Sequence, residues 1–150
     1  MTLNDFLSPA EQREIVQAIE YAETLTSGEI RVHVEPSCIW GNAYERAIEV
    51  FNELGMYRTQ RRNGVLIYIA FNSHHLAIIG DSGINSQVPE GFWANEINIL
   101  SKNIASNRTA LGVCEVIKSV GQRLAEIFPP DKNDTNEQPN EISFTDNNEK

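Results

Sequence analysis

The stretch Asn63-Gly64-Val65-Leu66-Ile67-Tyr68-Ile69-Ala70-Phe71 decides the fold. An Asn-Gly turn signal opens an unbroken apolar run rich in β-branched and aromatic residues and too short for a helix. Such a run fits a strand covered on both faces, at the centre of a sheet. Behind it, Asn72-Ser73-His74 is turn-rich and Leu76-Ala77-Ile78-Ile79-Gly80 is short and apolar again. A hairpin is the economical connection, so this next strand runs antiparallel to the central one.

Upstream, Glu29 to Glu35 alternates strictly, with Ile30, Val32 and Val34 on one side and Glu29, Arg31, His33 and Glu35 on the other. The pattern predicts a strand with one polar face, placed toward a sheet edge. Between the two strands, Ala43, Ala47, Val50, Phe51 and Leu54 recur at helical spacing and Gly55 closes the helix. A strand, a helix and a strand in that order make a right-handed crossover with parallel neighbours.

Farther out, Ser8-Pro9-Ala10-Glu11 is a capping box with proline at the first helical position, where its missing N–H costs nothing. A helix over residues 9–26 follows, with Ile15, Val16, Ala18, Ile19, Ala22 and Leu25 on its apolar side and Ser27-Gly28 as its stop. Beyond the hairpin, Phe92, Trp93, Ile97, Leu100 and Ile104 mark one helix. Ala110, Val113, Cys114, Ile117, Val120, Leu124 and Phe128 mark another, with Thr109 as its N-cap and Pro129-Pro130 as its end.

The reading is thus one globular domain over residues 1–128 and an acidic tail over 129–150. The last 22 residues hold six acidic and two basic side chains. This tail is expected to hang mostly free, with Ile142 and Phe144 as the groups that could dock it.

In the whole chain of 150 residues, 21 acidic side chains against 12 basic ones give a net charge of -9. That balance argues against nucleic acid, whose phosphates need a basic surface. No window approaches the run of about 20 apolar residues that spans a bilayer, and the first residues lack the layout of a signal peptide. The expectation is a soluble, cytoplasmic monomer without a membrane segment. Cys38 and Cys114, far apart and without a CxxC partner, read as free thiols.

The topology gathers polar groups at one place. The hairpin returns the chain to the end of the sheet where the two parallel strands begin, so Glu29, Asn63 and Asp81 should meet there. The loop after Asp81 adds Ser82, Asn85 and Ser86, and Glu90 stands at the entrance of the next helix. Carboxylates with amide and hydroxyl oxygens suit a hard divalent cation, calcium or magnesium, and calcium takes about 6–8 oxygen ligands. The same residues also have an ordinary reading. Asp and Gly after a strand make turns, Glu90 can serve a helix N-terminus, and Glu29 can pair with Arg31 or Arg62.

Other patterns carry less. Gly80-Asp81-Ser82-Gly83 is no phosphate loop, for it lacks the lysine. Residues 131–137 superficially follow an EF-hand loop, but Asn136 stands where glycine is needed and Ile142 where the final glutamate belongs. His33, His74 and His75 read as incidental. No serine lies in a GxSxG elbow, and no triad is visible. Trp40, Phe92 and Trp93 read as core or rim packing.

The strands Gly28-Glu29-Ile30-Arg31-Val32 and Asn63-Gly64-Val65-Leu66-Ile67-Tyr68-Ile69-Ala70, the following Gly80-Asp81-Ser82-Gly83-Ile84, and the last helix from Gly112 resemble the TPM domain. That family includes a thylakoid-lumen phosphatase-like protein linked to photosystem II repair. The likeness spans about residues 6–128. It implies a three-layer α/β/α sandwich with a mixed, mostly parallel central sheet and an antiparallel hairpin, in agreement with the order above. It also implies divalent-cation binding, calcium in particular, with Asp81 as the principal ligand and Glu29, Asn63 and Glu90 beside it. An acid-phosphatase activity is proposed for some members. Arg62 stands where many relatives carry an acid, so one ligand of the family is missing here.

Three functions follow as expectations. The first is a binding or regulatory module that takes calcium or magnesium through Asp81, Glu29, Asn63, Asn85 and Glu90. The second is a metal-dependent phosphatase acting on phosphate monoesters, with Arg31 or Arg62 steadying the anion. The third is a protein-interaction module without catalysis, its partner held by the tail or by an apolar patch near Trp40.

Overall fold

The computed structural model describes residues 1–39, 41–130 and 139–147. The central strand is β2, Gly64–Ala70, buried at all its positions. It pairs in parallel with β1, Glu29–Glu35, in the register Glu29↔Gly64 through Glu35↔Ala70. On its other side it pairs antiparallel with β3, His75–Gly80, in the register Val65↔Gly80 through Ala70↔His75. The hairpin between them turns through His74, whose φ of 58° is left-handed. A short fourth strand, β4 (Ser143–Phe144), gives the order β3-β2-β1-β4.

Helices cover both faces. On one side lie α2 (Pro9–Thr24), α5 (Phe92–Ala105) and α6 (Thr109–Ile127), and they bury Ile30, Val32, Val34, Val65, Ile67, Ile69 and Ile78 of the sheet. A short N-terminal helix, α1 (Leu3–Phe6), packs there too, with Phe6 stacked on Phe71 at 4.8 Å. The other face is covered by α3, Ala43–Glu53, which packs with Met56 on Leu66, Tyr68, Ala70, Ala77 and Ile79. The result is the three-layer sandwich with a mixed sheet.

Local chemistry explains the boundaries. Ser8 Oγ accepts from Glu11 N at 3.1 Å while Glu11 Oε1 accepts from Ser8 N at 3.0 Å, so the capping box that starts α2 is complete. Where α2 meets α6, a Cβ on Gly121 would lie 2.9 Å from Ala22 Cβ, so glycine permits the close approach of the two helices. Thr109 is the first helical residue of α6, not its cap, and the flanking Arg108 makes no side-chain cap. The expected loop after Asp81 contains a helical turn, α4 (Ser82–Asn85), with Asp81 as its N-cap.

Two expectations are corrected. First, β1 is not an edge strand with a solvated face. All its residues are buried: Arg46 of α3 reaches Glu35 on the polar side, and β4 covers the open edge through His33↔Ser143 and Val34↔Phe144. Second, the tail does not hang free over residues 139–147. Ile142 packs on the core, Thr145 N donates to Val34 O at 3.2 Å, and Asn147 bonds both backbone groups of Ser37, at 2.9 and 2.7 Å. The sheet therefore extends beyond the expected 1–128 boundary. The EF-hand-like stretch 131–137 and Trp40 lie outside the described residues. Cys38 and Cys114 are free thiols. Among the described residues no helix is long and apolar enough to cross a membrane.

Candidate functional site

Glu29, Asn63 and Asp81 do meet at one end of the sheet. Glu29 pairs with Gly64, and Asp81 N donates to Gly64 O at 3.0 Å, extending the β2–β3 ladder by one residue. Glu29 and Asp81 thus flank Gly64 on neighbouring strands and share the α3 face of the sheet. Gly64 contributes no side chain between them, and a Cβ there would meet Met56 O at 3.3 Å and Met56 Cε at 3.5 Å. Asn63 follows in the same corner, since Glu29 N donates to its carbonyl at 3.2 Å.

All three are desolvated, with exposures of 2% for Glu29, 1% for Asn63 and 6% for Asp81. The backbone N–H of Asn63 donates to Thr59 Oγ1 at 3.1 Å. Its side-chain Oδ1 is buried and has no hydrogen-bond partner among the described residues. A buried amide oxygen without a donor is a cost that a cation would remove.

Asp81 is engaged. Arg62 donates Nε to Oδ2 at 2.8 Å and Nη2 to Oδ1 at 2.9 Å, and Ser82 N donates to Oδ1 at 2.6 Å. This forked pair raises the guanidinium above its ordinary pKa, chiefly through the hydrogen bonds to Asp81. The Arg62 side chain is 52% exposed whereas Asp81 is buried, so the arginine reaches in from solvent. Arg62 itself sits at φ 52°, and its carbonyl accepts from Gly83 N at 2.9 Å.

The other expected ligands are elsewhere. Asn85 spends its side chain at the β3 edge, where Nδ2 donates to Gly80 O at 2.8 Å and Oδ1 accepts from Trp93 Nε1 at 3.0 Å. Glu90 is exposed on the turn before α5 and lines a groove with Gly80 and Asn85. Arg31 is buried, its Nε has no hydrogen-bond partner among the described residues, and burial lowers its pKa against the opposing pull of Glu141. Among the described residues no group of three or more His, Cys, Asp and Glu side chains is placed to hold a metal ion. The oxygen-bearing side chains buried at this end of the sheet are two carboxylates and an amide. They suit a hard cation in kind, and a guanidinium already faces one of them.

A second polar cluster was not foreseen. At the opposite end of β1, Glu35 is fully buried and both its carboxylate oxygens are saturated. Oε1 meets Arg46 Nη2 at 2.7 Å and His33 Nε2 at 3.1 Å. Oε2 accepts from Arg46 Nε at 2.8 Å and Tyr68 OH at 2.5 Å. His33 Nδ1 reaches Ser143 Oγ at 2.9 Å, so this residue, expected to be incidental, ties β4 to the network. Burial alone would raise the Glu35 pKa, but the hydrogen bonds of Arg46, His33 and Tyr68 outweigh it and bring it down to about 2. The available signal was Tyr68, a hydroxyl inside the otherwise apolar run of β2.

With the geometry in view, the sequence profile of the TPM domain matches residues 2–123. The chain belongs to the TPM domain family. Among solved structures, the chain is similar to the BA42 protein from the psychrophilic bacterium Bizionia argentinensis, known from an NMR structure. It is 39% identical, the alignment covers 96% of this chain and 99% of that one, and the TM-score is 0.87. No curated protein matches the chain. In this TPM domain, then, Arg62 reaches Asp81 at the sheet end where the backbones of Glu29 and Asn63 also meet.

Proposed function

We propose that this TPM domain is a binding module that takes a divalent cation, calcium or magnesium, at Glu29, Asn63 and Asp81. The observation that carries the reading is the buried Asn63 Oδ1, which has no donor among the described residues, at the sheet end where the backbone of Asn63 meets that of Glu29 and Asp81 continues the neighbouring strand, all three residues being buried. Glu29 and Asp81 would supply the negative charge and Asn63 the neutral oxygen, with water completing the shell. Arg62 is the competitor. Because its side chain is half in solvent, it can leave Asp81 without unfolding anything, and a cation must displace it. Asn85 and Glu90 have no part in this site.

Calcium and magnesium are titrated into the wild type, Asp81→Asn and Arg62→Ala, with heat and amide NMR shifts recorded. Saturable shifts at Glu29, Asn63 and Asp81 are expected, lost in Asp81→Asn and tighter by a few-fold in Arg62→Ala. Flat titrations in both the wild type and Arg62→Ala would remove the proposal. Release of phosphate from a monoester, run on the same three proteins, separates a plain binding module from the phosphatase that the family likeness also implies.

A further inference from the structure

The sheet has one covered edge and one open edge. β4 closes the β1 side, whereas β3 is the outer strand on the other side. In the β2–β3 ladder the hydrogen-bonded pairs are in phase with Asp81 N to Gly64 O, that is Leu66↔Ile79, Tyr68↔Ala77 and Ala70↔His75. The intervening residues Leu76, Ile78 and Gly80 therefore turn their N–H and C=O groups outward. The Gly80 carbonyl confirms the phase, because it points out to accept from Asn85 Nδ2 at 2.8 Å. The outward groups of Ile78 and Leu76 and the Gly80 N–H have no hydrogen-bond partner among the described residues.

This edge is recessed. Ala77 and Ile78 are 4% exposed and Ile79 is 8% exposed, which is low for an outer strand. A groove of about 360 Å³ runs along Ile78, Ile79 and Gly80, walled by Tyr44 of α3 on one side and by Val88, Phe92 and Trp93 on the other. Tyr44 is 62% exposed and Ile48, one helical turn on, is 37% exposed, so an apolar stripe borders the groove on the solvent side. The charged lining residue is Glu90, in a chain of net charge -9.

We propose that the β3 edge binds an extended peptide segment of a partner protein, which adds as a fifth strand. Backbone groups in a row, alternately donor and acceptor, are satisfied by another extended backbone. The recess excludes a second copy, because two strands that each lie on the floor of a groove cannot approach to the ladder spacing of about 4.8 Å before their walls collide. The chain's own extended segment is already used as β4 on the opposite edge. The span from Leu76 to Gly80 fits a segment of about five residues. Its side chains would alternate between Tyr44 on one face and Val88 and Trp93 on the other, so both sets would carry apolar groups, and a basic flank would face Glu90. This inference is independent of the cation at Asp81.

The probe is a blocked peptide of alternating valine and threonine with a lysine at each end, added to the full chain while amide NMR and fluorescence anisotropy are followed. Saturable shifts confined to Leu76, Ile78, Gly80 and the groove walls are expected. A version N-methylated at alternate residues should bind about tenfold more weakly, because it loses donors to the edge. The surface variants Tyr44→Ala and Glu90→Lys should each weaken the unmodified peptide and leave the fold intact. Equal binding of the N-methylated peptide would overturn the proposal, since contact would then be side-chain adhesion. No shift at millimolar peptide, or self-association of the protein through β3, would overturn it equally.

Discussion

Arg46 and Glu35 form a bidentate ion pair beneath α3, with Nε and Nη2 of the arginine at 2.8 and 2.7 Å from the two carboxylate oxygens. Arg46 is 4% exposed and Glu35 not at all. Removing one partner leaves a buried charge unmatched, so Arg46→Met should lose about 3–5 kcal/mol in denaturant unfolding. The double variant Arg46→Met/Glu35→Gln should recover part of that loss. The pH sign follows from the depressed carboxyl. Its stabilisation is complete above the ordinary value of 4.5 and is lost as pH falls toward about 2. Glu35→Gln should abolish that part of the acid slope, and an Arg46→Met loss below about 1 kcal/mol would show the pair to be idle.

Deletion of residues 139–150 tests the docked tail. It removes the Ser143 contact to His33, the Thr145 bond to Val34 and the Asn147 bonds to Ser37, and it bares Ile142's place on the core. The expected loss is on the order of 2 kcal/mol. Hydrogen exchange should accelerate at the β1 positions that face β4, Val34 first, and stay slow at Glu29, whose N–H is held by Asn63 O on the β2 side. Unchanged exchange at Val34 would mean that β4 adds no protection.

These two cases mark where the sequence was legible. The apolar run from Val65, the hairpin behind it and the crossover through α3 follow from period and turn chemistry, so the mixed sheet and the meeting of Glu29 with Asn63 and Asp81 were readable. The polar side of β1 was not. Glu35 is satisfied by Arg46 and Tyr68, and His33 by Ser143, which is 110 residues away. No local pattern encodes such partners, and alternation alone reads a buried network as a solvated face. The tail misled for a related reason, because two strand residues held by β1 are invisible in an acidic composition. At the candidate site Arg62 was weighed as a partner for Glu29, whereas the hairpin delivers it to Asp81.

Gly83 is the packing point beneath that arginine. A Cβ there would lie 2.3 Å from Arg61 O and 2.6 Å from Arg62 O, both backbone atoms that cannot turn aside. Gly83→Ala should therefore cost about 1–3 kcal/mol by overpacking. Because Gly83 N also holds Arg62 O, the same change should move the Arg62 Nε–H resonance and loosen its bond to Asp81. A variant of wild-type stability with an unmoved resonance would show that the loop yields freely.

Glu96 should give the opposite pH sign to Glu35. It is 4% exposed between α5 and α6, where Oε1 accepts from Ser119 Oγ at 2.6 Å and Oε2 has no hydrogen-bond partner among the described residues. Burial raises its pKa above 4.5, and the Ser119 bond only partly offsets this. The folded protein therefore keeps the proton after the unfolded chain has released it. Stability from this group is full below about 4.5 and falls as pH rises from there through the raised value. Glu96→Gln retains an acceptor for Ser119 and cannot ionise, so its stability relative to wild type should improve between pH 4 and pH 8. Thermal unfolding of both proteins at the two pH values measures this difference, and a constant offset would mean that Glu96 is ionised in the fold, its charge met by groups that reach it from solvent.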